Sequence, residues 1–301
     1  MILKHQLPAF EKLLAVGRAC FGMSRLTCSI KPRTNTMIIG PSGSGKTHLA
    51  RAVAEELGAG AAYLNISVSE WILLGCSERG AQNTWPMVCD FLLRHHSSDG
   101  LVIFIDELDK ISGDSSWNQH LRNELFQLLD FQVPTGIQND DEYDAEARSK
   151  AESILKNRTL ILAAGAFQHL WHTISKPIMG FGRHSGDGDL PIEKTNLSRL
   201  IQTLPAELVL RFRSDLVVLP QLTESDYHRM LDQAAGEVPH YLRTTFLRLG
   251  RERIPGAVEC GQGCRFVEEL LLDTVIEERS LLQIVDKPPR EPEKEGPNDS
   301  P

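Results

Sequence analysis

The chain has 301 residues, of which 41% are hydrophobic and 24% are charged, and its formal net charge is −8. This composition is ordinary for a globular protein, and the length allows about two domains. No apolar run approaches the roughly 20 residues of a membrane span, and a chain this acidic is a poor general binder of polyanions. The N-terminal residues lack a signal-peptide core, so a cytoplasmic location is the expectation.

Five short apolar runs predict the strands of one sheet. Helical patterns separate them, beginning with residues 9–22 and later including KTHLARAVAEELG, which ends at Gly58. This alternation predicts an α/β fold, a parallel sheet flanked by helices. Surface loops are predicted over the acidic residues 138–150 and the Gly-rich residues 179–189. The predicted strands are residues 36–40, 61–67, 101–105, 159–165 and 215–220.

The pattern changes after Pro220. Thr223 and Asp226 resemble a capping box at a helix start, and residues 264–285 have the periodicity of a long amphipathic helix. Because no convincing strand lies between them, we predict a small all-helical domain. The predicted division is an N-terminal helical segment (1–30), an α/β domain (31–220), the helical domain (221–286) and a disordered tail (287–301).

The six cysteines form no C-x-x-C pair, and no pair of histidines has zinc-finger spacing. We therefore expect reduced, mostly buried thiols. The cysteines are Cys20, Cys28, Cys76, Cys89, Cys260 and Cys264.

The stretch GPSGSGKT fits the phosphate-binding pattern G-x-x-x-x-G-K-[ST] in full, and it lies between a predicted strand and a predicted helix. Its glycines let backbone N–H groups converge on a β-phosphate, and the helix start adds the positive end of its dipole. We predict that Lys46 reaches the β- and γ-phosphates of ATP and that Thr47 ligates Mg²⁺. An accidental match is the alternative. The residues predicted to bind the nucleotide here are Gly40, Pro41, Ser42, Gly43, Ser44, Gly45, Lys46, Thr47 and His48.

Two acidic residues follow the apolar run LVIFI directly. Asp106, at the strand end, is predicted to hold Mg²⁺ and so to complete the nucleotide site. Glu107 is predicted to polarise the attacking water, which in-line hydrolysis of ATP requires. A solvated strand end is the alternative interpretation. Together with the Gly-rich loop, the pair predicts an ATPase.

Four blocks resemble the AAA+ ATPases and, among them, the ClpX and HslU protein unfoldases. They occur in family order and cover residues 36–275: IDELDK, LILAAGAFQHL, LPAELVLRFRSDLVVLPQLTESDYHRML and GQGCRFVEELLLDT. The resemblance implies a P-loop NTPase sheet followed by a helical lid domain, and an activity that remodels or unfolds a protein client.

The resemblance also assigns two arginines. Arg211 corresponds to the arginine finger, which in the family reaches the γ-phosphate held by the neighbouring subunit. Because Leu210 stands where the family usually has Gly, Arg213 is the fallback finger. Arg265 corresponds to the sensor-2 arginine, which contacts the nucleotide from the lid. Their alternatives are a surface ion pair for Arg211 and a solvated helix terminus for Arg265.

A finger that acts on a neighbour's nucleotide implies self-association. Head-to-tail contacts generate rings, so a homo-oligomeric ring is expected, a hexamer by resemblance. The resemblance implies a protein client as the second partner. No membrane partner is expected, because no apolar run is long enough to span a bilayer.

The sequence departs from the family at several positions. Ala164 stands at the sensor-1 position, which is often polar, and the Ile-Gly-Gln stretch that helps to seat adenine is not matched. Leu73, Leu74 and Gly75 match the pore loop without its aromatic residue, and nearby Trp71 is either a substitute or a core residue.

A further stretch, Met179-Gly180-Phe181, is similar to the loop through which ClpX docks on its peptidase. Docking of a peptidase or effector through Phe181 is one interpretation, and a loop that tucks in its Phe is the other.

Three functions compete. The first is a ring ATPase that remodels a protein client. The second is a nucleic-acid ATPase of the loader or transposition-helper kind, which would need a basic surface. The third is a nucleotide-gated scaffold that hydrolyses rarely, and the presence of Glu107 argues against it.

Overall fold

The computed structural model divides into two compact units, Met1–Leu222 and Thr223–Pro301. The structure describes residues 2–23, 32–74, 82–113, 115–139, 144–168 and 204–278.

The first unit is built on a parallel sheet whose strand order is β2-β3-β4-β1-β5. The first strand in the chain therefore lies between β4 and β5, and β3 is separated from it by β4. All the carboxyl ends meet at one edge, where ligands bind in open α/β sheets. The strands are β1 (Thr36–Ile39), β2 (Tyr63–Ser67), β3 (Leu101–Asp106), β4 (Thr159–Gly165) and β5 (Val217–Val218).

Helices cover both faces of this sheet. Alternate residues of β4 point to opposite faces, so that Leu160 and Leu162 pack with α1 and α2, while Ile161 and Ala163 pack with α3, α4 and α5. The central strands are therefore buried on both sides, which explains why β1, β3 and β4 are almost entirely apolar, whereas the edge strand β2 includes the exposed Asn65. The helices of this unit are α1 (Leu7–Met23), α2 (Lys46–Glu56), α3 (Thr84–Arg94), α4 (Ser116–Leu129), α5 (Ala145–Arg158) and the short α6 (Ala206–Val209).

Helix α1 is fixed to the sheet at several points along its length. Leu13 is fully buried, which stabilises the fold by about 1.5–3 kcal/mol for a side chain of this size. The Nζ atom of Lys12 donates to Asp215 Oδ1 at 2.6 Å and to the carbonyl of Leu216 at 2.8 Å, next to β5. Cys20 Sγ donates to the carbonyl of Thr159 at 3.5 Å. The helix therefore belongs to the first unit.

The predicted surface loop over residues 138–150 is wrong in its second half. Helix α5 begins at Ala145, because the side chain of Asp144 caps it by accepting from the backbone N–H of Ala147 at 2.7 Å. Acidic composition alone favoured a loop, but Ala151, Ile154 and Leu155 give the same stretch a buried face.

The second unit consists of three helices over the described residues 223–278, with no strand among them. Thr223 and Asp226 form the predicted capping box. The hydroxyl of Tyr227 accepts from the backbone N–H of Gly263 at 2.7 Å, which ties the first helix to the turn before the last. The helices are α7 (Glu224–Glu237), α8 (His240–Cys260) and α9 (Arg265–Glu277). The predicted fold class, a parallel sheet with flanking helices followed by a helical region, is confirmed.

The described cysteines are free, and burial raises the pKa of Cys20 to about 11 and that of Cys89 to about 12. Cys260 is exposed. In the part of the chain that the structure describes, no three or more His, Cys, Asp or Glu side chains are grouped so that they could hold a metal ion, and each helix there is too short or too polar to span a bilayer. Several predictions lie outside the described residues: the 179–189 loop with Phe181, the 287–301 tail, Gly75, Cys28 and Cys76.

Candidate nucleotide-binding site

The Gly-rich loop follows β1 and leads into α2 at the carboxyl edge of the sheet. Gly43 and Gly45 have φ values of 76° and 82°, which residues with a side chain rarely adopt. At Gly40 a Cβ atom would lie 2.7 Å from Ser44 Oγ and 2.9 Å from Leu219 Cβ. Both the loop's backbone conformation and its close packing therefore require glycine.

Lys46, the first residue of α2, folds back over this loop. Its Nζ atom donates to the carbonyls of Gly40 at 2.8 Å and Pro41 at 2.9 Å. The ammonium group therefore lies within the loop, where phosphate oxygens would be stronger acceptors than the two carbonyls.

Thr47, in helix α2, and Asp106, at the end of strand β3, come together at this edge. Thr47 Oγ1 donates to Asp106 Oδ2 at 2.6 Å, although the two residues are 59 positions apart in the chain. A hydroxyl and a carboxylate oxygen are the hard ligands that Mg²⁺ prefers, usually together with water and phosphate oxygens. The residues present therefore fit the predicted metal, with Thr47 and Asp106 as its protein ligands.

Glu107 occupies a strained backbone position beside them. Its φ of 59° and ψ of 35° are in the left-handed region, and its backbone N–H donates to Asp106 Oδ1 at 2.8 Å. Such a conformation costs of order 1 kcal/mol or more for a residue with a side chain, and it is found mainly at functional sites. The sharp turn sends the two neighbouring carboxylates in different directions.

Two serines hold the Glu107 carboxylate. Glu107 Oε2 accepts from Ser67 Oγ at 2.8 Å and also from Ser69 Oγ. These hydrogen bonds, the one from Ser69 first, lower the pKa of Glu107, so the carboxylate is a weaker base than a free one. The sequence interpretation missed both serines. Ser67 pairs with Asp106 in the register of β2 and β3, so knowledge of the strand pairing would have placed Ser67 next to Asp106 and Glu107.

The end of β4 contributes a backbone N–H group, and no polar side chain, to this edge of the sheet. Asp109 Oδ1 accepts from the N–H of Ala166 at 3.1 Å, which joins the segments after β3 and β4. Ala164, at the predicted sensor-1 position, is fully buried and offers no polar group.

Arg211 lies just after α6, far along the chain from the Gly-rich loop and from Asp106. Its Nε donates to Asp130 Oδ2 at 2.9 Å, its Nη1 donates to the carbonyl of Glu207 at 2.8 Å, and its guanidinium lies 4.1 Å from the centre of the Phe126 ring. The chain's own groups thus satisfy this cation. The surface ion pair and the arginine finger are compatible interpretations, because the Asp130 carboxylate is 42% exposed.

The other two predicted arginines differ from it. Arg213 approaches Asp215 at 4.0 Å and its backbone N–H donates to the carbonyl of Asn35 at 2.9 Å. Arg265 is the exposed first residue of α9 in the second unit, and its role as sensor 2 stays a prediction.

Trp71 is a core residue. It is 2% exposed, and its Nε1 donates to Glu124 Oε2 at 2.8 Å. The other oxygen of Glu124 accepts from the N–H of Leu74 at 2.7 Å, and burial raises the pKa of this glutamate. Leu73 is also buried, so this segment up to Leu74 exposes no aromatic side chain as a pore loop would.

Comparison with known proteins agrees with this geometry. Residues 36–181 match the family described as "ATPase family associated with various cellular activities (AAA)". Residues 36–181 are therefore similar to an AAA ATPase domain. The matched range includes the Gly-rich loop, Asp106 and Glu107.

Similar proteins are themselves AAA proteins. The peroxisomal ATPase pex6 of Schizosaccharomyces pombe is 31% identical over 123 residues, which cover 38% of this chain and 12% of that protein. The mouse vacuolar protein sorting-associated protein 4B is 34% identical over 115 residues, covering 36% and 24%. An ATP-dependent zinc metalloprotease FtsH from Methylococcus capsulatus is 44% identical over 75 residues, covering 25% and 11%.

This chain thus spans about a quarter or less of the length of these relatives. None of the three is a ClpX or HslU protein. The similarity supports an AAA ATPase domain, and the closer resemblance to ClpX rests on the motifs of the sequence.

Proposed function

We propose that the chain hydrolyses ATP with Mg²⁺ as a subunit of a ClpX-like AAA ring that remodels a protein client. The observation that carries this proposal is the 2.6 Å hydrogen bond between Thr47 and Asp106, with Glu107 turned away beside them. It joins the loop that holds phosphate to the acid that holds the metal.

In the proposed hydrolysis of ATP, the Gly-rich loop, Lys46 and Glu107 each have a separate role. Backbone N–H groups of the loop and Lys46 bind the β- and γ-phosphates, and bound Mg²⁺ would neutralise the charge that develops on them. Glu107 orients a water molecule in line with the γ-phosphate and accepts its proton. Because Ser67 and Ser69 both donate to Oε2, they orient the carboxylate, and its other oxygen, Oε1, can accept from the water.

Arg211 completes the site of the neighbouring subunit in this proposal. To do so, the guanidinium leaves Asp130, an exposed ion pair of a kind that contributes only about 0–1 kcal/mol. Exchange of such a partner for a γ-phosphate is energetically easy. The proposed assembly is therefore a homo-oligomeric ring, with a hexamer as the expected size.

A protein client is favoured over nucleic acid by charge. Net charge is −8, and the helical unit presents acidic side chains such as Glu268, Glu269 and Asp273. Binding to the phosphate backbone of a nucleic acid would need a basic surface. An effector or peptidase that docks through Phe181 remains part of the proposal.

The test measures ATP hydrolysis by the full chain with Mg²⁺, alone, with an unfolded polypeptide and with duplex DNA. Polypeptide should stimulate turnover while DNA does not. Light scattering of the Glu107→Gln variant with ATP should give the mass of a ring. Stimulation by DNA alone, lost at high salt, would favour the loader type, and a fully active monomer would exclude the shared site.

A further inference from the structure

Gln6 is a fully buried polar side chain next to the nucleotide site. It ends the short 3₁₀ helix Lys4–Gln6 that precedes α1, and it has 0% exposure. Its Nε2 donates to the carbonyl of Ser44 at 3.1 Å, with a longer contact of 3.5 Å to the carbonyl of Gly45. Its Oε1 accepts from the backbone N–H of Leu3 at 3.2 Å. The amide therefore connects the start of the chain to the phosphate-binding loop.

The Ser44 carbonyl belongs to a peptide unit whose other half matters for binding. The peptide bonds described are trans, so the C=O of Ser44 and the N–H of Gly45 point in opposite directions across one plane. An N–H that binds phosphate must point into the loop, and the carbonyl must then point out of it. Holding the carbonyl from outside with Gln6 therefore keeps the Gly45 N–H directed inward.

The loop needs such a restraint because of its glycines. Gly43 and Gly45 adopt positive φ values, and glycine also populates negative φ with little cost. Rotation of the Ser44–Gly45 peptide would turn a carbonyl oxygen towards the phosphates, where it would repel them. With Gln6 in place, the same rotation leaves a buried amide without its acceptor, which is unfavourable by about 1–3 kcal/mol.

We propose that Gln6 is a positioning residue that preorganises the phosphate-binding loop and couples nucleotide affinity to the residues ahead of α1. This inference rests on the proposed nucleotide binding. By linkage the coupling acts in both directions: displacing residues 2–6 weakens nucleotide binding, and bound nucleotide stabilises residues 2–6.

The experiment compares Gln6→Glu with wild type by titration of a fluorescent ADP and by steady-state hydrolysis of ATP in the full chain. Glutamate keeps the shape and an acceptor for Leu3, but its carboxylate cannot donate and faces the Ser44 carbonyl. We expect the dissociation constant and KM to rise about 5- to 30-fold, while kcat at saturating ATP stays within about 2-fold.

Lys12→Met is the matched control, because it loosens α1 at Asp215 and Leu216 without touching the loop. It should leave the dissociation constant unchanged. If Lys12→Met weakens ADP binding as much as Gln6→Glu does, the effect is general loosening of α1 and the inference is overturned. Gln6→Met, which is uncharged, should weaken binding in the same direction if Gln6→Glu does not fold.

Hydrogen exchange of wild type provides a readout without any variant. ADP should slow the exchange of the Leu3 backbone N–H, which donates a hydrogen bond to Gln6 Oε1. Unchanged exchange at Leu3, or wild-type ADP affinity in both Gln6 variants, would overturn this inference alone. A wild-type chain that binds no ADP would overturn the proposed function as well.

Discussion

The nucleotide edge of the sheet and the surface around Arg211 differ in how their charged groups are held. At the nucleotide edge, Thr47 of helix α2 donates to Asp106 and Ser67 of strand β2 donates to Glu107, so polar groups from separate elements are already hydrogen-bonded to one another. Around Arg211, one cation is satisfied by Asp130 and Phe126 of its own chain. The groups of the nucleotide edge are brought together within one chain. Under the proposed function, Arg211 must leave Asp130 before it can act on ATP. This difference predicts which substitutions act on binding and which act on turnover between subunits.

The largest effect is expected from Lys46→Ala at the nucleotide edge. Removing the ammonium group leaves the γ-phosphate without its cation, so ATP binding and hydrolysis should both become undetectable in a titration and a phosphate-release assay. Lys110→Ala, which removes a lysine from the segment after Glu107, should bind ATP normally. Normal ATP binding by Lys46→Ala would mean that GPSGSGKT is not the phosphate site.

Arg211→Ala should lower turnover by about 10³-fold or more while ATP binding stays intact, because the guanidinium stabilises transition-state charge. Mixing it with Lys46→Ala should partly restore turnover, since mixed rings bring an intact arginine to an intact nucleotide site. Arg213→Ala is the paired variant. If Arg213→Ala loses turnover and Arg211→Ala does not, Arg213 is the finger, and failure of rescue would argue against a shared site.

Glu107→Gln should bind ATP and lower turnover by about 10²-fold or more, because the amide cannot accept the proton of the attacking water. It should also retain the assembled ring with ATP. Asp109→Asn removes a nearby charge but keeps an oxygen for the N–H of Ala166, so its single-turnover rate should match wild type. A wild-type rate for Glu107→Gln would show that another group activates the water.

Ser69→Ala should have a smaller and opposite effect. Loss of one hydrogen bond raises the pKa of Glu107 towards its ordinary value and makes the carboxylate a stronger base, so basal turnover should rise by up to about 10-fold. Ser112→Ala serves as its control, because Ser112 bonds to the carbonyl of Asp109 instead. A fall in turnover would mean that Ser69 orients Glu107 productively.

The smallest effect is expected from Asp130→Asn on the Arg211 surface. Asparagine keeps an oxygen for Arg211 Nε but removes the charge, so turnover should rise by no more than about 5-fold and thermal stability should barely change. A loss as large as that of Arg211→Ala would show instead that Asp130 must hold Arg211 in place for catalysis.

The sheet, its flanking helices, the Gly-rich loop and the two acids after β3 could all be predicted from local sequence patterns. Apolar runs specify strands, and GPSGSGKT and Asp106-Glu107 carry their chemistry in local spacing. Three sets of contacts became known only from the folded chain: Trp71 is buried against Glu124, Ser67 and Ser69 hold Glu107, and Gln6 reaches Ser44. Those contacts join residues far apart in the chain. Their partners depend on strand order and on the packing of helices against the sheet, which local patterns do not encode.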